Sequence, residues 1–277
     1  MNRSGPPVAA VLLAPGETSR LPALFEYWLA ATGTLGRYLP LEVEGDDIGE
    51  VISALPKAGF AGLHVSATFQ KRVLDHADII TDRAALMSAA NTIIFRKDGK
   101  IHADNTDGYG FIENIRQTVP NWNPKSGPAA VFGSGRAARV IIAALLEIGV
   151  EHIRLTSRTR PRAENLRSEF GTRIEVHDWL KAGNISDGAS LVVNATPLGA
   201  VGQSEFRVPM DGLLPGAVAS DLVVDPPDTR FLRQAATYGA YLADGVGMML
   251  CQAAPSFERW FGIRPPLDEA ARQAAIG

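Results

Sequence analysis

The chain has 277 residues, 46% of them hydrophobic, with a formal charge of −3 and a pI near 6.0. That size accommodates two domains with cores of their own, and the absence of a dominant basic face argues against nucleic acid as a partner. One cysteine, Cys251, excludes a disulfide framework and fits a reducing cytoplasm, while the five histidines lack the paired spacing of a metal site.

Residues 8–14 form an apolar run too short for a signal-peptide core, and Val8–Leu13 reads as a buried first strand. No other stretch is long enough to span a bilayer, so no membrane partner is expected. Residues 22–32 place Leu24, Phe25, Trp28 and Leu29 at helical spacing and stop at Gly33. An extended run follows at 38–43, a helix at 46–58 ending on Gly59, a strand at 62–66 and a long helix over 71–86. Residues 92–96 and 101–103 read as a hairpin around Lys97-Asp98-Gly99. Strands alternating with helices predict a mainly parallel sheet in this half. A helix over 108–119 then runs into the turn-rich PNWNPKSGP, the expected linker to a second domain.

The second half opens with a strand, a glycine turn and an amphipathic helix in immediate succession. The apolar run Ala129–Phe132 leads into Gly133-x-Gly135-x-x-Ala138, and the helix begins at Arg136. Glycines at a strand end, facing the free N–H groups and positive dipole end of a helix, make an anion site of the dinucleotide-binding kind. An ordinary strand–turn–helix with no ligand is the plainer alternative. The next strand, Ile153–Thr156, ends in Ser157-Arg158-Thr159-Arg160-Pro161-Arg162. NAD-binding units carry a carboxylate here for the ribose 2′-hydroxyl. This chain has hydroxyls and arginines instead, equipment for a 2′-phosphate, so NADP is the expected cofactor. A solvated basic loop is the alternative. Further helices are expected at 161–170, 229–238 and 247–260, with strands at Leu191–Asn194, 218–222 and 240–242 and a short surface helix over 266–275. A ligand belongs in the crevice at the carboxyl ends of the strands.

Several separated motifs together resemble the shikimate dehydrogenase superfamily over nearly the whole chain. They are Ala90-Asn91-Thr92 with Asn105-Thr106-Asp107-Gly108, the turn Gly133–Ala138, Ser157-Arg158-Thr159, the loop 194–199 (NATPLG), the run 221–229 (DLVVDPPDT) and the run 244–252 (DGVGMMLCQ). The resemblance implies two α/β domains: a substrate domain over 1–107 completed by 246–277, and a Rossmann domain over 108–245, with a cleft between them. It implies NADP-dependent interconversion of 3-dehydroshikimate and shikimate or a related cyclic hydroxy or keto acid, in a monomer or homodimer. Carried over by position, Ser19, Ser66, Asn91, Asp107 and Gln252 would hold substrate. Gly133, Ser134, Gly135, Arg136, Ala137, Ser157, Arg158, Thr159, Arg162, Thr196, Leu222 and Gly245 would hold cofactor. For Asn91 and Asn105 the local alternative is capping of a turn, and for Asp107 a helix N-cap.

The departures from the family pattern bear on catalysis. The family strand reads NVTxPFK, its lysine beside the hydroxyl that is oxidised. Here the segment is His64-Val65-Ser66-Ala67-Thr68-Phe69-Gln70, with Gln70 at the lysine position and Lys71 one residue beyond. One step at a helix start turns a side chain by about 100°, so Lys71 substitutes only if the loop is rebuilt. The family SxSP becomes Ser19-Arg20-Leu21-Pro22, the tyrosine of DxxY becomes Val224, and Arg136 stands where glycine is usual. Glutamine donates a hydrogen bond but carries no proton. Asp107, Gln70 and Lys71 are therefore the expected catalytic set. The competing expectation is a pseudoenzyme or sensor that binds NADP and an acid without turnover.

Overall fold

The computed structural model describes residues 5–277; residues 1–4, at the start of the first expected domain, lie outside the described residues. The chain divides into two α/β units. One runs up to Asp107 and is completed by Gln252–Gly277, and the other is Gly108–Cys251.

The first unit holds β1 (Val8–Leu13), β2 (Arg37–Glu42), β3 (Phe60–Val65), β4 (Ile79–Ile80), β5 (Thr92–Phe95) and β6 (Ile101–Asp104), in the sheet order β2-β1-β3-β5-β6-β4. β1 runs parallel to β2 and β3, and β4 to β6, while β5 is antiparallel to both neighbours. The sheet is thus mixed, because the 92–103 hairpin inserts two antiparallel ladders. One face carries Leu12, Leu63 and Ile93 against Ile48, Ile52 and Val73. Helix α1 (Leu21–Ala31) buries Phe25 and Trp28, whose rings each lie 5.4 Å from Phe257.

Two expected helices are shorter than their periodicity suggests. In the 46–58 segment, one 3₁₀ turn precedes α2 (Ile48–Ala54), and Pro56, which has no N–H to continue the ladder, follows its end. The 71–86 segment is not one helix. It is a 3₁₀ turn over Arg72–His76, then β4, then α3 (Asp82–Met87). Two side chains break it: Asp78 Oδ2 accepts the Ile101 N–H at 2.7 Å, and Thr81, extended, accepts the Ala84 N–H as an N-cap.

The second unit contains α4 from Gly108 onward (Asp107–Thr118), β7 (Ala129–Phe132), α5 (Arg136–Glu147), β8 (Ile153–Thr156), α6 (Arg160–Phe170), β9 (Ile174–His177), β10 (Leu191–Asn194), β11 (Val218–Asp221), α7 (Arg230–Thr237) and β12 (Tyr241–Ala243). Its sheet is parallel throughout, in the order β12-β11-β10-β7-β8-β9. Strand β9 and the 3₁₀ stretch Trp179–Ser186 were not anticipated from the sequence. The order reverses between β7 and β10, and a crevice opens at such a switch point beyond the carboxyl ends of the strands.

Helix α8 (Gly245–Phe261) passes from the second unit into the first, and α9 (Glu269–Ile276) closes the chain. The expected surface helix is half buried: Ala271 and Ala275 pack inward, and the Arg20 guanidinium donates to the carbonyls of Ala275 and Ile276 at its end.

Candidate active site

In the first unit, a cavity of about 340 Å³ lies at the ends of β1 and β3, with Ser19, Ser66, Gln70, Asn91, Asp107 and Gln252 in its wall. Asn91, buried just before β5, organises this wall. Its Nδ2 donates to Asp107 Oδ1 at 2.7 Å and to Gln252 Oε1 at 3.3 Å. Its Oδ1 accepts the Thr106 N–H and the Thr92 hydroxyl, each at 3.0 Å. Every hydrogen-bonding position of the amide is therefore used, which holds one rotamer and aims the Asp107 carboxylate. Thr106 Oγ1 lies 3.1 Å from Gln252 Oε1 and ties that side chain to the same network. Asn105 takes the local role open to it: it accepts the Asp107 N–H and donates to the Ala89 carbonyl.

Gln70 lines the cavity, its Nε2 donating to the Val65 carbonyl at 3.1 Å, while Lys71 is exposed and outside the wall. Ser19 Oγ accepts the Leu21 N–H at 3.2 Å, so this hydroxyl also shapes the start of α1. Glu17 and His64 belong to the same wall and were not singled out from the sequence. Proximity of Glu17 to Ser19 was the available signal. His64 is buried, its Nδ1 hydrogen-bonded with the Tyr38 hydroxyl at 2.7 Å, and burial lowers its pKa to about 3. It is neutral at physiological pH.

In the second unit, a cavity of about 570 Å³ opens at the switch point, walled by Gly135–Ala137 after β7, Thr196 after β10 and Leu222–Asp225 after β11. Gly133 has φ +113°, and a Cβ there would lie 2.7 Å from the Ala195 carbonyl oxygen, so only glycine fits. Gly135 is the contrary case: φ is −81° and a Cβ would meet nothing within 4 Å. The space beside it belongs to the cavity. Helix α5 starts there with no side-chain cap, leaving its first N–H groups for an anion. Ser134 donates to Ser157 at 2.7 Å, and Ser157 accepts the Thr159 N–H, which shapes the loop after β8. Arg158 and Arg162 beside it are exposed, and their guanidinium groups have no partner among the described residues. Arg160 instead pairs with Glu164. Gly245 sits where a Cβ would come within 2.3 Å of the Val223 carbonyl oxygen, an observation that accounts for glycine there by packing. An uncapped helix end, an open glycine and two uncommitted arginines fit a dinucleotide that carries a 2′-phosphate.

Below this cavity, buried Asp221 accepts from Asn194 Nδ2, the Val223 N–H and Thr229 Oγ1 at 2.9, 3.0 and 2.6 Å. Burial pushes its carboxyl up to about 6 despite these donors, with Asp244 adding repulsion. A raised folded-state pKa gives stability that is full below the ordinary carboxylate value and lost as pH rises through about 6. Asp221→Asn keeps both donor contacts on its oxygen, and the Thr229 hydroxyl can accept from the new amide. Urea titrations should show the wild type losing about 2–3 kcal/mol relative to this variant between pH 4 and pH 7. Parallel pH profiles would refute a strained Asp221.

The model of the shikimate dehydrogenase substrate binding domain matches residues 12–93, and that of the shikimate 5′-dehydrogenase C-terminal domain matches residues 245–276. A shikimate dehydrogenase (NADP(+)) from Cereibacter sphaeroides strain KD131 is 55% identical over 98% of this chain and 97% of its own. The chain belongs to the shikimate dehydrogenase family. A further shikimate dehydrogenase (NADP(+)), from Paracoccus denitrificans, is 51% identical over 98% of this chain and 96% of its own. Among solved structures, shikimate 5-dehydrogenase from Thermus thermophilus in complex with NADP(H) and shikimate matches with a TM-score of 0.83 and 30% identity, covering 98% of both chains. In this family member Asn91 joins Asp107 and Gln252, and Gln70 lines the same cavity.

Proposed function

We propose that the chain is an NADP-dependent oxidoreductase of the shikimate dehydrogenase type, interconverting a ring alcohol and its ketone, with shikimate, quinate and their relatives as the compounds to try first. In this reading residues 108–245 act as the dinucleotide domain and residues 1–107 with 246–277 as the ring-binding domain, in a monomer or homodimer. The single buried cysteine supports a reducing, cytoplasmic setting. The observation that carries the reading is the turn at Gly133 and Gly135, which opens the uncapped end of α5 onto a cavity at the sheet's switch point.

Gly135, Arg136 and Ala137 would hold the diphosphate, Ser157, Arg158, Thr159 and Arg162 the ribose phosphate, and Thr196, Leu222 and Gly245 the remainder, with Gly133 and Ser134 shaping the turn. NADP, when bound, supplies the hydride acceptor in one direction and the donor in the other. Ser19, Ser66 and Gln252 would hold ring hydroxyls, and Asn91 would serve the ring by fixing Asp107 and Gln252 in place. Asp107, aimed by Asn91, accepts the hydrogen of the reacting hydroxyl and takes its proton. Gln70 donates to the ring oxygen but carries no proton, and Lys71 points to solvent. Proton transfer therefore falls on Asp107 and water.

Fluorescence titration should give tighter binding of NADPH than of NADH, and the wild type should turn over a member of the ring-alcohol panel slowly. Gln70→Lys should raise kcat by about a hundredfold, the lower part of the usual general acid–base contribution. Failure of both nucleotides to bind would remove the proposal. Turnover abolished by Lys71→Ala and lowered by Gln70→Lys would move the proton route to Lys71.

A further inference from the structure

Asn194 and Asp221 are the last residues of the neighbouring strands β10 and β11, paired in register, and both are fully buried. From there their side chains reach the two loops that wall the second unit's cavity. Asn194 Oδ1 accepts the Thr196 hydroxyl at 2.6 Å and the Thr196 N–H at 3.2 Å, and Nδ2 donates to the Leu198 carbonyl at 3.0 Å. Thr196 Oγ1 in turn accepts the Leu198 N–H at 3.1 Å. The other Nδ2 hydrogen goes to Asp221 Oδ1, which also accepts the Val223 N–H. Asp221 Oδ2 accepts from Thr229, the N-cap of α7. One carboxylate thus closes the loop after β11 at both ends and joins it to the loop after β10. The Val201 N–H, donating to the Asp225 carbonyl at 3.1 Å, ties the same two loops a second time.

An apolar pair would fill this space without the desolvation that burying a carboxylate costs, a cost visible in the Asp221 carboxyl, raised to about 6. Apolar packing, however, does not fix the direction of the Thr196 hydroxyl or of the Val223 N–H. A network in which the Asn194 amide uses both hydrogens and both acceptor positions does. Thr196 and Leu222–Asp225, the residues so held, belong to the cavity wall. Loops ordered in advance spare a ligand the entropy of ordering them on binding.

We infer that Asn194 and Asp221 are a positioning pair for the dinucleotide, holding both loops in their binding arrangement before the cofactor arrives. This rests on the function proposed above and adds two residues that act on the cofactor through Thr196 and Leu222–Asp225. Two measurements on the full-length chain test it. The first is amide hydrogen exchange of the wild type, read by NMR. Without NADPH, the Thr196, Leu198 and Val223 N–H groups should already exchange at least about a hundredfold more slowly than in an unstructured peptide. Amides that become protected only when NADPH is added overturn the inference, and this arm needs no variant. The second is fluorescence titration with NADPH, with melting curves to show that each variant is folded. Asn194→Ala and Asp221→Ala should weaken NADPH binding about tenfold or more, while Asp221→Asn, which keeps the contacts, should stay within about threefold of the wild type. Alanine variants that melt earlier but bind NADPH like the wild type assign the pair to stability alone and overturn the inference. Asp221→Asn as weak as Asp221→Ala overturns it too, because charge and not placement would then be what matters. If the alanine variants do not fold, the exchange rates and Asp221→Asn decide. Failure of the wild type itself to bind NADPH is a separate result, which strikes the proposed oxidoreductase and this inference with it.

Discussion

Gly133→Ala is expected to destabilise the chain by about 3 kcal/mol or more, while Gly135→Ala leaves stability almost unchanged and weakens NADPH binding. The two glycines sit two residues apart in one turn, yet the backbone demands different things of them. At Gly133 the left-handed φ and the nearby Ala195 carbonyl both exclude a Cβ, so strain and overpacking add. At Gly135 the backbone is extended and the space beside it is open, so alanine fits the folded chain. What alanine obstructs there is the approach of a diphosphate to the first N–H groups of α5. The loss should be about ten- to a hundredfold in affinity, equivalent to one charge-assisted hydrogen bond. Thermal melts and fluorescence titrations on both variants separate the two effects. Unaltered NADPH affinity in Gly135→Ala would mean that this turn does not grip the cofactor.

Asn91→Ala should reduce both stability and turnover. Removing the amide strands the Thr106 N–H, which is buried, and releases Asp107 and Gln252 from their shared donor. An orphaned buried donor costs about 1–3 kcal/mol, and a catalytic group displaced by about 1 Å can lose a hundredfold in rate. We therefore expect a loss of about 2–3 kcal/mol in urea unfolding and at least about a hundredfold in kcat/KM. Thr92→Val is the control, because it deletes one donor to Asn91 and leaves the contacts to Thr106 and Asp107 in place. It should cost about 1 kcal/mol and little activity. If Asn91→Ala kept full turnover, Asp107 would be positioned by something other than this amide.

Much of the dinucleotide unit was legible in the sequence because its signals are local. The glycine turn, the apolar strand before it and the arginines after β8 lie within about thirty residues, the span of one strand–helix–strand unit. The 71–86 segment misled because its apolar spacing suits a helix, and the groups that break it, Asp78 and Thr81, bond to residues 101 and 104 on a distant strand. Strand β9 is short and, at the edge of its sheet, is paired with one strand, β8. Gln70 could be read as the departure at the lysine position, but exposure of Lys71 became evident only once the 3₁₀ turn after it was in place.

The order of motifs along the chain determined the family and the α/β class and located the glycine turn before α5, because each depends on backbone chemistry encoded within a few neighbouring residues. Tertiary structure alone decided that Asn91 serves Asp107 and Gln252 together, across 16 and 161 positions of sequence. It likewise decided that Glu17 and His64 stand in the wall of the cavity at the ends of β1 and β3. Charge balance in a pocket is a sum over side chains brought together from separate segments, and no local pattern records which of them will turn inward.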